Sequence, residues 1–333
     1  INQFTGCYKS ASITITEPAP FSVPVTQSPA VCQGETDGFL SLVPTGGSPP
    51  YQVTFYSGHF DNVLSPVVDP NDMATEGQQT GVTSGQTVTQ NGLAAGQYAI
   101  QLIDVNGCIY SGNFTLIENP KGQVNATADN AYCAGSPVSI AFTTTNSGGA
   151  TTYDWVNTNP AIGLPASGQG DISFTSTNTT NAPIQGQITV TPTYTANGVS
   201  CVGPSDTFIV TVNPKPVIQD YTPAICSGDP FTVTPTNGGA TIVPANTTYT
   251  WIVAPNANVS GQTDEATPQN SISQTLINST NEVQTVTYTV TPTSGDAGNC
   301  LGQTFEVVVT VNPKPRIASE IIPICSNAPI AFT

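Results

Sequence analysis

Positive charge is almost missing from this sequence. Its 333 residues carry five Lys and Arg against 21 Asp and Glu, and a single His, for a formal net charge of −16. Proteins that grip nucleic acid or an anionic membrane do so by releasing counterions with clustered Lys and Arg, so the deficit argues against both partners. Long apolar runs are also lacking: none approaches the roughly 18 residues of a membrane-spanning helix, and no membrane insertion is expected. Only 8% of the chain is charged, against about 25% in an ordinary soluble domain, and the shortage falls on the helix formers Glu, Lys and Arg. One His and no Cys-x-x-Cys spacing argue against a zinc site. The sequence opens at Ile1 with neither an initiator Met nor a basic and apolar leader, which points to a piece of something longer.

The place of the missing residues is taken by Thr, Val, Ser and Asn, with 30 Gly and 29 Pro. At 38% hydrophobic, with 12 Phe and 11 Tyr, the chain has enough apolar material for real cores. Short alternating stretches such as Tyr51–Phe55, Tyr98–Leu102, Tyr153–Trp155, Tyr249–Val253 and Glu306–Thr310 stand between Gly, Pro, Asn and Ser turns. That pattern predicts an all-β chain of sandwich modules. Junctions rich in Pro, at Glu17-Pro18, Glu118-Asn119-Pro120, Pro214-Lys215-Pro216 and Pro313-Lys314-Pro315, read as semi-rigid elbows.

The eight cysteines carry the phase of a repeat. Cys32 to Cys108 spans 76 residues, Cys133 to Cys201 spans 68 and Cys226 to Cys300 spans 74, with gaps of 25 between the pairs. The reading is three disulfides, Cys32–Cys108, Cys133–Cys201 and Cys226–Cys300, each closing one module. Cys7 and Cys325 are then left unpaired in this chain. Closing loops of that length contributes roughly 4–4.5 kcal/mol each on a chain-entropy argument, and structural disulfides belong to an exported protein. Sequence copies support the phasing. Thr211-Val212-Asn213-Pro214-Lys215-Pro216 returns as Thr310-Val311-Asn312-Pro313-Lys314-Pro315, and Cys-x-Gly recurs at Cys201 and Cys300. These are successive units with a period of about 95 residues.

The segment from Leu93 through Gly96, Tyr98 and Asp104 to Gly107-Cys108 resembles the closing signature of the SprB repeat. Cys32-Gln33-Gly34, Asp37-Gly38 and Gly46 to Tyr51 reinforce it. Residues 21–119 therefore look like one SprB-like β-sandwich repeat with a long insert at about 57–90, and residues 1–20 like the tail of another. Residues 120–215 and 216–314 resemble PKD-like sandwiches, with 315–333 the start of a further one. The implied fold class is all-β, with tandem Ig-like/PKD-like β-sandwich modules arranged end to end. The family consists of very large surface proteins of Bacteroidota exported by type IX secretion, whose best-known members are mobile adhesins of gliding motility. What the resemblance implies is a structural or adhesive stalk segment, extracellular at an outer-membrane-attached cell surface, with no enzymatic activity. The implied partners are neighbouring repeats, an extracellular surface or polysaccharide, and secretion or motility machinery reached through the rest of the parent. The alternative is a carbohydrate-binding or spacer array appended to a secreted hydrolase.

Candidate sites are few. Trp155 and Trp251 each follow a Tyr two residues earlier on one strand face; they read as core aromatics, the alternative being an exposed pair that stacks on sugar rings. Asp61, Asp69, Asn71 and Asp72 in the insert offer oxygen ligands for Ca²⁺, as does the run Asp104-Val105-Asn106-Gly107, whose composition is also that of an ordinary turn. Otherwise no cofactor is expected. His59 has no nucleophile in a recognisable setting, and no Gly-x-Ser-x-Gly or His-Glu-x-x-His is present. Lys121, Lys215, Lys314 and Arg316 fall at the junctions, where they offset repulsion between acidic modules.

Overall fold

The computed structural model describes residues 9–64, 66–69, 72–295 and 298–315. Within them the chain is strands and turns, with one single-turn 3-10 helix, Pro160–Ile162. It forms tandem β-sandwich modules. β-branched and aromatic residues alternate with polar ones along each strand, so one face of every strand is apolar and must be covered.

The first sandwich packs two sheets. One orders Val25–Gln27, Gly38–Leu42 and Val88–Leu93; the other orders Thr75–Val82, Tyr51–Ser57, Gly96–Ile103 and Ile109–Leu116. Leu40, Leu42, Val53, Phe55, Leu93, Ile100, Leu102 and Leu116 fill the space between them. The long insert is not a plain loop. Part of it, Thr75–Val82, pairs along Tyr51–Ser57 as an edge strand, with register shifts on either side of Val53–Phe55. Its largely exposed, polar sequence is suited to an edge strand.

The third sandwich has a five-stranded sheet ordered Ala224–Cys226, Phe305–Asn312, Gln284–Thr293, Thr248–Ala254 and Glu265–Gln269, faced by the pair Pro230–Val233 and Ile272–Thr275. Phe231, Tyr249, Trp251, Ile272, Tyr288, Val307 and Val309 form its core. The middle segment repeats this order strand for strand: Asn130–Cys133, Asp206–Asn213, Ile184–Ala196, Ala150–Asn157 and Ser167–Gln169, with Pro137–Ile140 on Ile172–Thr175. The strand Val199–Val202 folds back on Ile184–Ala196 through a turn at Asn197-Gly198, both with positive φ (51° and 76°). That is the geometry for which Asn-Gly is favoured in a two-residue hairpin.

The chain packs as two compact units. Among the described residues, one unit runs up to Ala126 and adds Phe142–Asp154 and Val190–Asp206; the other takes Thr127–Ala141, Trp155–Thr189 and the chain from Thr207 onward. Residues 9–20 are exposed and form no strand. Ile13-Thr14-Ile15, in the segment expected to be the tail of an upstream repeat, forms no strand.

Candidate functional site

The expected disulfides are not the ones formed. Cys32 is bonded to Cys201 and Cys133 to Cys300, across sequence separations of 169 and 167 residues. Cys108 and Cys226 are exposed free thiols. The pairings Cys32–Cys108, Cys133–Cys201 and Cys226–Cys300 are therefore corrected: among the described residues both bonds join different modules, and none closes a single module. Cys7 and Cys325 lie outside the described residues.

The reason is in the strand register. A disulfide needs its Cα atoms within about 7 Å, and those formed have 5.5 and 5.6 Å. In the third sandwich Cys226 sits beside Asn312, at the end where the chain leaves the module. Cys300 sits beside Ser294, beyond the opposite end of the strand Gln284–Thr293. Because Gln284 is registered with Val311 next to Asn312, about ten residues of strand, roughly 30 Å, separate the two cysteines. In the first sandwich Cys32 pairs with Asn119, whereas Cys108 lies in the turn at the far end of the eight-residue strand Ile109–Leu116. A module of this kind holds its cysteines at opposite ends. Only a neighbour can reach them.

Each first cysteine stands on the same small platform. A short strand runs parallel to the module's last strand and sets Cys32 opposite Asn119, Cys133 opposite Asn213 and Cys226 opposite Asn312. The backbone N–H after each cysteine donates to that Asn carbonyl, Gln33 to Asn119 at 2.9 Å, Ala134 to Asn213 at 2.9 Å and Ser227 to Asn312 at 2.8 Å. A turn then returns an N–H to the cysteine carbonyl, from Glu35, Ser136 and Asp229.

At the first junction, in one compact unit, the buried Asn119 donates its side-chain amide to the Ala196 carbonyl at 2.6 Å and accepts from the Asn197 amide at 2.8 Å. The hairpin tip beside Cys201 is thus held by the platform of the preceding module. Lys121 reaches back to Glu35 at 2.7 Å, and its hydrogen bond and charge hold the Glu35 carboxyl below the ordinary carboxylate range. Cys201 carbonyl accepts from Gly122 N–H, and Gly203 N–H donates to Pro192. A Cβ on Gly203 would overlap the Gly122 carbonyl oxygen. Close crossing of the linker explains the glycine of Cys-x-Gly.

The second junction, in the other compact unit, repeats these parts. Gly302 N–H donates to Pro292 at 2.9 Å, and a Cβ on Gly302 would meet the Pro216 carbonyl at 2.6 Å. Gly298 lies against the Asn213 side chain, and the Lys215 Nζ lies over Gly135. The overlooked signal is the triplet Asn-Pro-Lys, present at 119–121, 213–215 and 312–314. A second signal is that the two inter-module spacings differ by two residues, while the intra-module spacings range from 68 to 76.

The other candidates fall elsewhere. Trp155 and Trp251 are buried, and their indole N–H groups donate to the Gly170 and Thr263 carbonyls. Neither offers a sugar-stacking face. In the insert, Asp61 is fully exposed beside His59 at 3.4 Å, the Asp69 carbonyl accepts from Asp72 and Met73 N–H, and Asn71 lies outside the described residues. No group of three or more His, Cys, Asp or Glu that would hold a metal occurs among the described residues. Asp104 is buried and accepts from the N–H of Ser48, Asn106 and Cys108, each at 2.9 Å. Burial pushes its carboxyl up, but these donors outweigh it and hold the pKa below the ordinary value. Its oxygens organise the turn that carries Cys108.

Residues 223–315 match the PKD-like domain family. No curated protein matches the chain. Among solved structures, an I-band fragment of titin is similar at 12% identity over 90% of this chain and all of that one, with a TM-score of 0.44. The insect immune protein hemolin is similar at 14% identity over 87% of this chain and 76% of that one, TM-score 0.29. The fibronectin(III)-like modules of Clostridium thermocellum CbhA are similar at 15% identity over 57% and 95%, TM-score 0.28. The strand pairings themselves define the tandem sandwiches. No helix among the described residues is long and apolar enough to cross a membrane.

Proposed function

We propose that the chain is a non-enzymatic structural segment of a large, repetitive cell-surface adhesin, of the SprB-repeat type that serves gliding motility and surface attachment. Its modules are bounded at 21–119, 120–215 and 216–314, and its first partners are the neighbouring repeats. The observation that carries the reading is the pair of disulfides joining successive modules. A catalytic domain needs a cleft with convergent polar groups; a spacer under load needs neighbours that stay joined. Disulfides fit an oxidising extracellular setting, and many copies would turn weak surface contacts into avidity.

The test is an antibody against this chain, applied to intact producing cells and to a blot under reducing conditions. Surface label that moves along living cells, with a band of several hundred kilodaltons, is the expected result. A smaller species, released to the medium and binding polysaccharide, would replace this reading with an accessory array of a secreted hydrolase.

A further inference from the structure

Among the described residues, two cysteines of the repeat, Cys108 and Cys226, are unbonded, and each sits on the same kind of structure as a bonded one. Cys226 occupies the platform described above: parallel to Asn312, with the Ser227 N–H on the Asn312 carbonyl at 2.8 Å and the Asp229 N–H on the Cys226 carbonyl at 3.0 Å. Cys133, whose sulfur is bonded, has the corresponding contacts at 2.9 and 3.1 Å, and Cys32 has both at 2.9 Å. The Lys314 Nζ lies over Gly228 as the Lys215 Nζ lies over Gly135. At the equivalent place Asn119 gives its amide to the next module's hairpin; Asn312 gives its own to Ile225 instead, at 3.2 Å. Cys226 differs from its two bonded counterparts in being exposed and free. Cys108 lies on the turn at the opposite end of its module, as Cys300 does, and is exposed as well.

We infer that Cys226 and Cys108 are the two open halves of one recurring cross-link: Cys226 bonds the second cysteine of a further module on its C-terminal side, and Cys108 bonds the first cysteine of one on its N-terminal side. The partner is a module of this same kind, presenting a cysteine beside a hairpin tip as Cys201 and Cys300 do. The rule is that the first cysteine of each module bonds the second cysteine of the next. It stands apart from any adhesive role. Bond formation needs a two-electron oxidant, and a low-molecular-weight disulfide such as glutathione disulfide serves. The Cys226 thiolate attacks it and releases one thiolate; the incoming cysteine then displaces the other from the mixed disulfide. One S–S bond forms and one breaks, and the oxidant leaves as two thiols with both electrons and both protons.

The test inserts a second copy of residues 216–314 between Lys314 and Pro315 of the full chain. The inserted copy carries Cys226→Ser, so that one Cys226 remains, and Leu301→Val as a mass tag beside its own Cys300. After refolding in a glutathione redox buffer, free thiols are alkylated and the peptides mapped without reduction. The expected result is Cys226 joined to the tagged peptide, with Cys32–Cys201 and Cys133–Cys300 intact and Cys108 alkylated. Alkylated Cys226, or Cys226 joined to the untagged Cys300 of its own module, overturns the inference. Should the extended chain fail to keep Cys133–Cys300, the same map on the parent protein from producing cells decides the matter. There Cys226 must be joined to a peptide of the following module, and finding it as a free thiol refutes the rule. A failure of surface labelling with a positive map would remove the adhesin reading and leave the cross-link standing.

Discussion

Asp104 and Tyr98 show how much of the first sandwich rests on single polar atoms. Asp104 accepts three backbone N–H groups from its buried position. Because its folded pKa lies below the ordinary value of 3.8, its contribution is complete above the unfolded pKa and is lost as pH falls through the lower folded one. Asp104→Asn is expected to lower Tm at pH 7, and the gap to the parent should narrow only below about pH 4; calorimetry across pH checks this. Tyr98 is buried, its hydroxyl donates to the Ala94 carbonyl at 2.9 Å, and burial raises its pKa. Such a corner, a Tyr tied to backbone a few residues upstream, pins the start of its strand. Tyr98→Phe is expected to cost about 1 kcal/mol in urea unfolding. Both residues belong to the stretch 93–108 that carries the resemblance to the SprB repeat, and the turn at Asp104 was legible in the sequence. Their hydrogen-bond partners were not, because Ser48 is 56 positions away from Asp104.

At the scale of elements, the alternation of apolar and polar residues was enough to place strands such as Tyr51–Ser57, Gly96–Ile103, Thr248–Ala254 and Phe305–Asn312. It was insufficient for the insert, where the edge strand Thr75–Val82 carries the largely polar sequence TEGQQTGV. An edge strand exposed to water needs no apolar face, so it leaves no period to read. The linker crossings give the clearest element-level prediction. A methyl on Gly203 meets backbone rather than a side chain that can turn aside. Gly203→Ala is therefore expected to destabilise by about 1–3 kcal/mol, and Gly302→Ala to act in the same direction at the second junction. Equilibrium unfolding with both disulfides intact measures each.

For the whole molecule, the order Cys32, Cys133, Cys201, Cys300 makes the two bonded loops overlap. Between the two disulfides run three covalent paths in parallel, residues 32–133, 133–201 and 201–300. The shortest limits extension, so a pull from residue 32 to residue 300 stops at roughly 230 Å. With the disulfides reduced the same span reaches roughly 900 Å. Single-molecule stretching with and without reductant checks this; a released length that reductant leaves unchanged would contradict the pairing. Each loop closure contributes about 5 kcal/mol on a chain-entropy argument, so Cys201→Ser is expected to lower Tm sharply. Replacing the exposed, unbonded Cys108 and Cys226 together by Ser is expected to leave Tm unchanged in the isolated chain.

The sequence by itself determined the β architecture, the repeat and the burial of the two indoles, because alternation, turn residues and spacing are local properties that survive in one dimension. It also held every cysteine in its place in the repeat. The partner of each cysteine was decided only in three dimensions. Proximity along the chain favoured Cys32 with Cys108, but a strand sets its two ends roughly 27 Å apart over the eight residues of Ile109–Leu116. Strand length thus separates the cysteines of one module, and the return of the hairpin at Asn197-Gly198 brings Cys201 of the next module to Cys32 instead.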